Sequence, residues 1–238
     1  NVNDGCGSTN LSQLCSFVRE KGLDVGFAFD GDADRCLAVD EHGEVVNGDH
    51  ILYIFSKWLR EQGALAHNTA VATVMSNLGL FRALEAAGID CEITPVGDRF
   101  IWERMSERDY SIGAEQSGHV ILSKYATTGD GILTAIMLTE VLLAKKCTLS
   151  RLASDVKMLP QITRNLRVAD KEKVMKSTEI QALVKRLSEH ELASGRILLR
   201  QSGTEPVVRV MVEADTEQEC ATYANAVIDR IKELGLHE

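Results

Sequence analysis

Residues 25–39 read VGFAFDGDADRCLAV, which is an apolar segment, a loop with three aspartates and a second apolar segment. Both apolar segments have the length and composition of β-strands. In an extended loop alternate side chains face the same way, so Asp30, Asp32 and Asp34 are expected to converge on one point. Carboxylates held this close repel one another, and a positive partner is therefore expected among them.

The partner of this aspartate loop (residues 30–35) could be Arg35 alone, a structural calcium ion or a working metal ion. Oxygen ligands at this density suit Mg²⁺ or Ca²⁺ better than zinc. A calcium-binding EF-hand matches only in part, because Glu41 is twelfth counted from Asp30 but Arg35 stands where that loop needs glycine. Magnesium that also binds a phosphate oxygen fits better, with Arg35 as a second clamp on the phosphate. A solvated surface turn is the simpler alternative.

The composition is that of an ordinary globular protein, with 45% hydrophobic and 26% charged residues in a chain of 238. A formal net charge of -9 argues against broad electrostatic binding to nucleic acid or to an anionic membrane. No run approaches the roughly 18 apolar residues of a membrane span. Six scattered cysteines without a CxxC pair suit reduced thiols in a cytoplasmic protein. We expect a cytoplasmic location and no nucleic-acid or membrane partner.

Strands and helices alternate up to about residue 158, which predicts an α/β fold with a largely parallel sheet. Asp49 is the predicted cap of the helix GDHILYIFSKWLREQG, and Asp130 is the predicted cap of a long helix that follows it. After Pro160 the pattern changes to a strand, a charged helix over about 170–190, two strands and a helix from Thr216. This order predicts a smaller α+β unit.

A second polar loop, GAEQSGH at residues 113–119, lies between two apolar segments. Glu115, Ser117 and His119 can each hydrogen-bond a sugar hydroxyl, and His119 can also move protons near neutral pH. We call this segment the Glu115 loop. A tight turn with a solvated glutamate and a histidine whose hydrogen bonds are satisfied within the protein is the alternative.

A third polar loop, RQSGTEPVVR, begins at Arg200 and ends at Arg209. The two arginines bracket a turn with donors that suit phosphate. Gly203 is expected to let backbone amides face an anion, while Ser202 and Thr204 add hydroxyl donors. This arginine loop therefore predicts a phosphate site, with a hairpin whose arginines pair with acids as the alternative.

Together, the motifs FDGDADR, GDHILYI, VATVMSNLGL, VGDRF, GAEQSGH, TTGDGI and RQSGTEPVVRVMVE resemble the α-D-phosphohexomutase superfamily over essentially the whole chain. The dipeptide Gln116-Ser117 favours the branch that acts on glucosamine phosphate. The resemblance implies α/β domains with mixed sheets and a C-terminal α+β domain like the TATA-binding protein. The implied boundaries are 1–48 for the end of the second domain, 49–158 for the third and 159–238 for the fourth.

The resemblance also implies an isomerase that interconverts glucosamine 6-phosphate and glucosamine 1-phosphate through a phosphoserine and a bisphosphate, on the route to UDP-N-acetylglucosamine and the cell wall. It implies Mg²⁺ held by the three aspartates of the aspartate loop. It implies catalytic roles for Arg35, which would steady the phosphoryl group, and for His119. The implied substrate contacts are Glu115, Ser117 and His119 for the sugar and Arg200, Ser202, Gly203, Thr204 and Arg209 for the distal phosphate.

One feature of the superfamily has no counterpart in this sequence. Its nucleophilic serine lies in a T-A-S-H-N-P-like motif of the first domain, and no such motif occurs here. We therefore expect a C-terminal fragment that binds Mg²⁺ weakly and does not turn over substrate by itself. A phosphomannomutase or phosphoglucomutase of the same superfamily, a phosphatase and a non-catalytic phosphosugar- and Mg²⁺-binding domain are the alternatives, and a homodimer is left open.

Overall fold

The computed structural model describes residues 2, 4–192, 194–203 and 205–238, and it separates the chain into two compact units, Asn1–Lys157 and Met158–Glu238. The elements of the first unit are α1 (Ser12–Lys21), β1 (Val25–Phe29), β2 (Cys36–Asp40), β3 (Val45–Val46), α2 (Gly48–Glu61), β4 (Thr69–Thr73), α3 (Leu78–Ala86), β5 (Asp90–Thr94), α4 (Asp98–Arg108), β6 (Ile112–Ala114), β7 (Val120–Leu122), α5 (Gly131–Lys145) and α6 (Leu149–Ala153). Those of the second unit are β8 (Gln161–Arg167), α7 (Lys171–Lys176), α8 (Thr178–Arg186), β9 (Arg196–Gln201), β10 (Val207–Glu213) and α9 (Glu217–Glu233).

The first sheet of the first unit is an antiparallel meander in the order β1-β2-β3. Strand β1 pairs with β2 from Val25 opposite Asp40 to Phe29 opposite Cys36, so the aspartate loop is the connection of a hairpin. The prediction of a largely parallel sheet is wrong for this part of the chain. A parallel pair needs a crossover of roughly a dozen residues, and the loop is too short to provide one.

The second sheet has the order β5-β4-β6-β7. Strand β4 pairs in parallel with β5 and β6, and β7 returns antiparallel to β6. All five residues of β4 are buried, as expected for an inner strand covered on both faces. The predicted α/β fold with mixed sheets is confirmed.

Two predicted helix starts have different outcomes. Asp130 caps α5 as predicted, since its Oδ1 accepts a hydrogen bond of 2.8 Å from the amide of Leu133. The cap of α2 is Asn47 rather than Asp49, because the Asn47 side chain accepts from the amides of Asp49 and His50. Asp49 lies inside the first turn and is buried. Burial also lowers the pKa of His50 to about 4, so its ring is neutral at pH 7.

The second unit has an antiparallel sheet in the order β8-β10-β9 with helices packed on it, which confirms the predicted α+β unit. The charged helix predicted over 170–190 is α7, α8 and a short π-helical turn, Leu187–Glu191. Ser177 interrupts the helix in an extended conformation (ψ 116°), and its hydroxyl caps α8 by accepting from the amide of Ile180. Serine at this position therefore ends one helix and starts the next.

None of the six cysteines forms a disulfide with another described residue. Burial raises the pKa of Cys36 and of Cys91 to about 12, so neither thiol ionises near neutral pH. Within the described ranges, no helix is both long enough and apolar enough to cross a membrane.

Candidate functional site

The aspartate loop brings its three carboxylates together. Asp30, Asp32 and Asp34 each offer an oxygen, and these oxygens lie within 4.8 Å of one another. Asp30 is held at one edge, where its Oδ1 accepts from the amide of Arg35 at 3.2 Å and its Oδ2 lies 3.7 Å from Arg35 Nε. Asp32 is exposed and makes no hydrogen bond or ion pair with the described residues.

The donor set of this loop fits a hard divalent cation. Asp34 Oδ1 is buried and has no hydrogen-bond partner within the described part of the chain. An uncompensated carboxylate oxygen is costly in a buried position, and a bound cation would compensate it. Oxygen-only ligands suit Mg²⁺ or Ca²⁺. The three carboxylates therefore fit the predicted metal.

The EF-hand alternative is contradicted by the fold. The aspartate loop is flanked by the strands β1 and β2, whereas an EF-hand loop joins two helices. Glu41 is not part of the aspartate loop. Its carboxylate contacts the start of α6, where it accepts from the amide and the hydroxyl of Ser150. Partial burial acts to raise the pKa of Glu41, but hydrogen bonds from Ser150 and Thr148 outweigh it and lower this pKa to about 2.

The Glu115 loop closes the β6–β7 hairpin. The amide of Glu115 donates to the carbonyl of His119, and the amide of Gly118 donates to the carbonyl of Glu115, both at 3.0 Å. The carboxylate of Glu115 accepts from the amide of Gly97 at 3.0 Å and from the hydroxyl of Ser117 at 3.3 Å. Because Gly97 is the N-cap of α4, the helix dipole favours a negative charge there.

The start of α2 packs against the Glu115 loop and hydrogen-bonds to it. The sequence did not predict this contact. Asp49 Oδ2 accepts from the amide of Asn77 at 2.8 Å and from Gln116 Nε2 at 3.1 Å. The amide of Gly48 donates to the carbonyl of Gln116 at 3.0 Å. A Cβ at Gly48 would lie 1.9 Å from the carbonyl oxygen of Glu115, so only glycine fits. The GDH motif in the sequence was the available signal.

The aspartate loop and the Glu115 loop meet in the first unit. Arg35 and His119 form an antiparallel bridge, and the amide of Cys36 donates to the carbonyl of Gly118 at 3.0 Å. The His119 side chain is buried, with Nδ1 2.9 Å from Asp34 Oδ2 and Nε2 accepting from the amide of Gly129. Both ring nitrogens are therefore engaged within the protein, whereas the sequence predicted that His119 contacts the sugar and moves protons.

The arginine loop belongs to the second unit. Arg200 and Arg209 are cross-strand neighbours in β9 and β10, and like charges in such positions repel. Burial and the nearby charge of Arg209 lower the pKa of the Arg200 guanidinium. Arg209 reaches Glu205 at 2.7 Å, while its Nε is buried without a partner among the described residues. An anion between the two arginines would relieve their repulsion.

The turn of the arginine loop is held by a lysine that the sequence did not single out. Lys171 Nζ donates to the carbonyl of Ser202 at 2.7 Å and to that of Glu205 at 3.2 Å. Ser202 is buried, and its hydroxyl accepts from the amide of Glu205. Gly203 does not have a left-handed φ, and a Cβ there would meet nothing within 4 Å. Neither the backbone conformation nor the packing of the turn therefore requires glycine at this position. Thr204 lies outside the described residues.

Three family models match consecutive parts of the chain. Residues 3–43 match "Phosphoglucomutase/phosphomannomutase, alpha/beta/alpha domain II", residues 47–159 match domain III of the same family and residues 164–230 match its C-terminal domain. The three matches follow one another in the order of the domain names.

Individual relatives are similar over nearly the whole chain. A phosphoglucosamine mutase of Lachnospira eligens is 54% identical over 235 residues, which cover 99% of this chain and 52% of the relative. A phosphoglucosamine mutase of Anoxybacillus flavithermus is 50% identical over 233 residues, which cover 98% of this chain and 52% of the relative. The chain thus spans about half the length of the curated relatives it matches.

Solved structures share the fold. A phosphoglucomutase/phosphomannomutase family protein of Burkholderia thailandensis superposes with a TM-score of 0.78 at 23% identity, over 95% of this chain and 50% of that one. An N-acetylphosphoglucosamine mutase of Aspergillus fumigatus, in complex with GlcNAc-6P and magnesium, gives a TM-score of 0.78 at 20% identity, over 96% of this chain and 57% of that one.

Proposed function

Because the chain belongs to the phosphoglucomutase/phosphomannomutase family, we propose that it is the metal-, sugar- and phosphate-binding part of a phosphoglucosamine mutase. The whole enzyme would interconvert glucosamine 6-phosphate and glucosamine 1-phosphate through a phosphoserine and a bisphosphate. The relatives at 54% and 50% identity, both phosphoglucosamine mutases, support this sugar preference. A phosphomannomutase or phosphoglucomutase activity is the second candidate.

One observation carries the proposal: three carboxylates converge in the aspartate loop directly beside the Glu115 loop. Phosphoryl transfer needs neutralised charge and correct positioning more than covalent chemistry from many side chains. Mg²⁺ held by Asp30, Asp32 and Asp34 would supply that neutralisation. A site that holds a divalent cation next to hydroxyl-binding side chains suits a phosphorylated sugar.

Several residues of this chain have roles in the proposed reaction. The side chain of Arg35 is 44% exposed and only loosely paired with Asp30, so it can turn toward a phosphoryl group. Glu115 and Ser117 offer an acceptor and a donor for sugar hydroxyls. In the second unit, Arg200 and Arg209 would hold the phosphate that is not reacting, with Ser202, Gly203 and Thr204 in the turn between them.

The remaining parts of the proposal concern context. We also propose domain limits at 1–48, 49–158 and 159–238, a phosphosugar as the partner and a cytoplasmic location. A homodimer stays open. The family-model matches at 3–43, 47–159 and 164–230 support these domain limits.

The test is a coupled mutase assay on a chimera in which the upstream half of the Lachnospira eligens relative precedes this chain. We expect formation of glucosamine 1-phosphate from glucosamine 6-phosphate, faster than the corresponding reactions of glucose and mannose phosphates. The chain by itself should give no turnover. Release of inorganic phosphate without isomer formation would favour a phosphatase, and a chimera with a faster glucose or mannose reaction would favour the second candidate.

Loss of either loop arginine should weaken phosphosugar binding. We expect the Arg200→Ala and Arg209→Ala variants to bind glucosamine 6-phosphate about 10- to 100-fold more weakly, since charged hydrogen bonds contribute roughly 1.5–3 kcal/mol. Calorimetric titration of the purified chain measures this. Arg164→Ala is the matched control. Arg164 is exposed, and its cross-strand neighbour in β10 is the core residue Val210. Because side chains alternate along a strand, Arg164 lies on the opposite face of the sheet from Arg209. Affinities equal to that of the control would contradict the phosphate site.

A further inference from the structure

The buried ring of His119 joins three segments of the first unit. It is 2% exposed, its Nδ1 lies 2.9 Å from Asp34 Oδ2, and its Nε2 lies 3.0 Å from the amide nitrogen of Gly129. The partners therefore come from the aspartate loop and from the segment that leads into α5. This ring is part of the scaffold of the site rather than of its surface.

The two hydrogen bonds fix where the ring carries its proton. A backbone amide can only donate, so Nε2 must be the acceptor of the bond from Gly129. In the neutral ring the proton is then on Nδ1 and is donated to Asp34 Oδ2. The other oxygen of that carboxylate, Oδ1, is the buried atom that has no partner among the described residues. The ring thus occupies one oxygen of Asp34 and leaves the other for a cation.

The backbone before α5 packs closely against the ring. A Cβ at Gly129 would lie 2.6 Å from Cε1 and 2.7 Å from Nδ1 of His119, so the backbone packs directly on the ring. The amide of Gly131 donates to the carbonyl of Ala33 at 2.9 Å, and Ala33 itself has a left-handed φ of 60°. The start of α5 therefore clamps both the ring and the loop that carries Asp34.

We propose that His119 is a positioning residue of the metal site, which donates from Nδ1 to Asp34 and thereby directs Asp34 Oδ1 at the cation. This inference rests on the proposed function, because it presumes that the aspartate loop binds Mg²⁺. Hydrogen bonds from such supporting residues typically change metal affinity about 10- to 100-fold. It replaces the sugar-binding and proton-moving roles that the sequence predicted for His119.

The test compares two nearly isosteric variants, His119→Asn and His119→Leu, by calorimetric titration of Mg²⁺ into the purified chain. Asparagine keeps an N–H donor close to the Nδ1 position, whereas leucine has none. We expect the leucine variant to bind Mg²⁺ about 10- to 100-fold more weakly than wild type, and the asparagine variant to stay within about threefold. Thermal unfolding checks the fold of each. If the leucine variant does not fold, the asparagine variant decides, and a loss above about tenfold overturns the proposal.

A second measurement needs no metal. Long-range ¹H–¹⁵N spectra of the wild-type chain should show His119 with its proton on Nδ1, and a ring protonated on Nε2 would overturn the proposal. Equal Mg²⁺ affinity in wild type and the leucine variant would overturn the positioning role alone. Absence of Mg²⁺ binding by the wild-type chain would overturn the metal site itself, and the positioning role with it.

Discussion

The Asp32→Asn variant will bind Mg²⁺ at least about 100-fold more weakly than the wild-type chain, because it loses one of three anionic ligands to a hard cation. Asp32 is the most informative of the three aspartates. It is exposed and has no partner among the described residues, whereas Asp30 and Asp34 also hold Arg35 and His119. Its replacement therefore removes a ligand without removing a structural hydrogen bond. Calorimetric titration gives the affinity.

The matched control for this experiment is Asp24→Asn. Asp24 is an exposed aspartate that lies just before β1, outside the aspartate loop. The Asp24→Asn substitution lowers the net negative charge by the same amount as Asp32→Asn. It therefore corrects for the effect of overall charge on Mg²⁺ affinity. If Asp32→Asn and Asp24→Asn bind Mg²⁺ equally well, the aspartate loop is a solvated turn and not a metal site.

The Gly48→Ala variant will destabilise the first unit by about 3 kcal/mol or more. Alanine at the first position of a helix is normally favourable, but here its Cβ would lie 1.9 Å from the carbonyl oxygen of Glu115 and 2.8 Å from the amide of Gly118. Both atoms belong to the backbone of a tight hairpin, so they cannot move without breaking its hydrogen bonds. The Glu115 loop should be displaced together with the loss of stability.

Urea unfolding followed by tryptophan fluorescence measures this effect, because the two tryptophans, Trp58 and Trp102, both lie in the first unit. Gly22→Ala is the control. Gly22 has a left-handed φ of 62° and a Cβ there would meet nothing within 4 Å, so only backbone strain of about 1–2 kcal/mol is expected. A Gly48→Ala variant no less stable than Gly22→Ala would show that the hairpin is not seated on α2.

Much of the candidate site was predictable because its signals are local. The alternate spacing of Asp30, Asp32 and Asp34 was enough to predict that their oxygens converge, as they do within 4.8 Å. The arginines at both ends of RQSGTEPVVR were enough to predict neighbouring guanidinium groups, and they are cross-strand partners. In both cases the residues lie within ten positions of one another, so the pattern of a strand or a hairpin fixes their geometry.

What failed or was missed depends on contacts between distant segments. The Asp34–His119 bond joins residues 85 positions apart, the Asp49–Gln116 bond spans 67 positions, and the bond from Lys171 to the Ser202 carbonyl spans 31. A histidine beside a serine and a glutamate has the same local pattern whether its ring faces a ligand or the interior.

The sequence by itself determined which side chains can bind a cation, a sugar and a phosphate, since that chemistry belongs to the residue types and their local spacing. It also determined the order of the main helices and strands, although not β3 or α6, because hydrophobic periodicity reflects one buried face of each longer element. Only the tertiary structure decided that Gly48 and Asp49 carry the Glu115 loop and that His119 is turned inward. These features arise where separate segments compete for the same buried space, and close packing admits only one arrangement there.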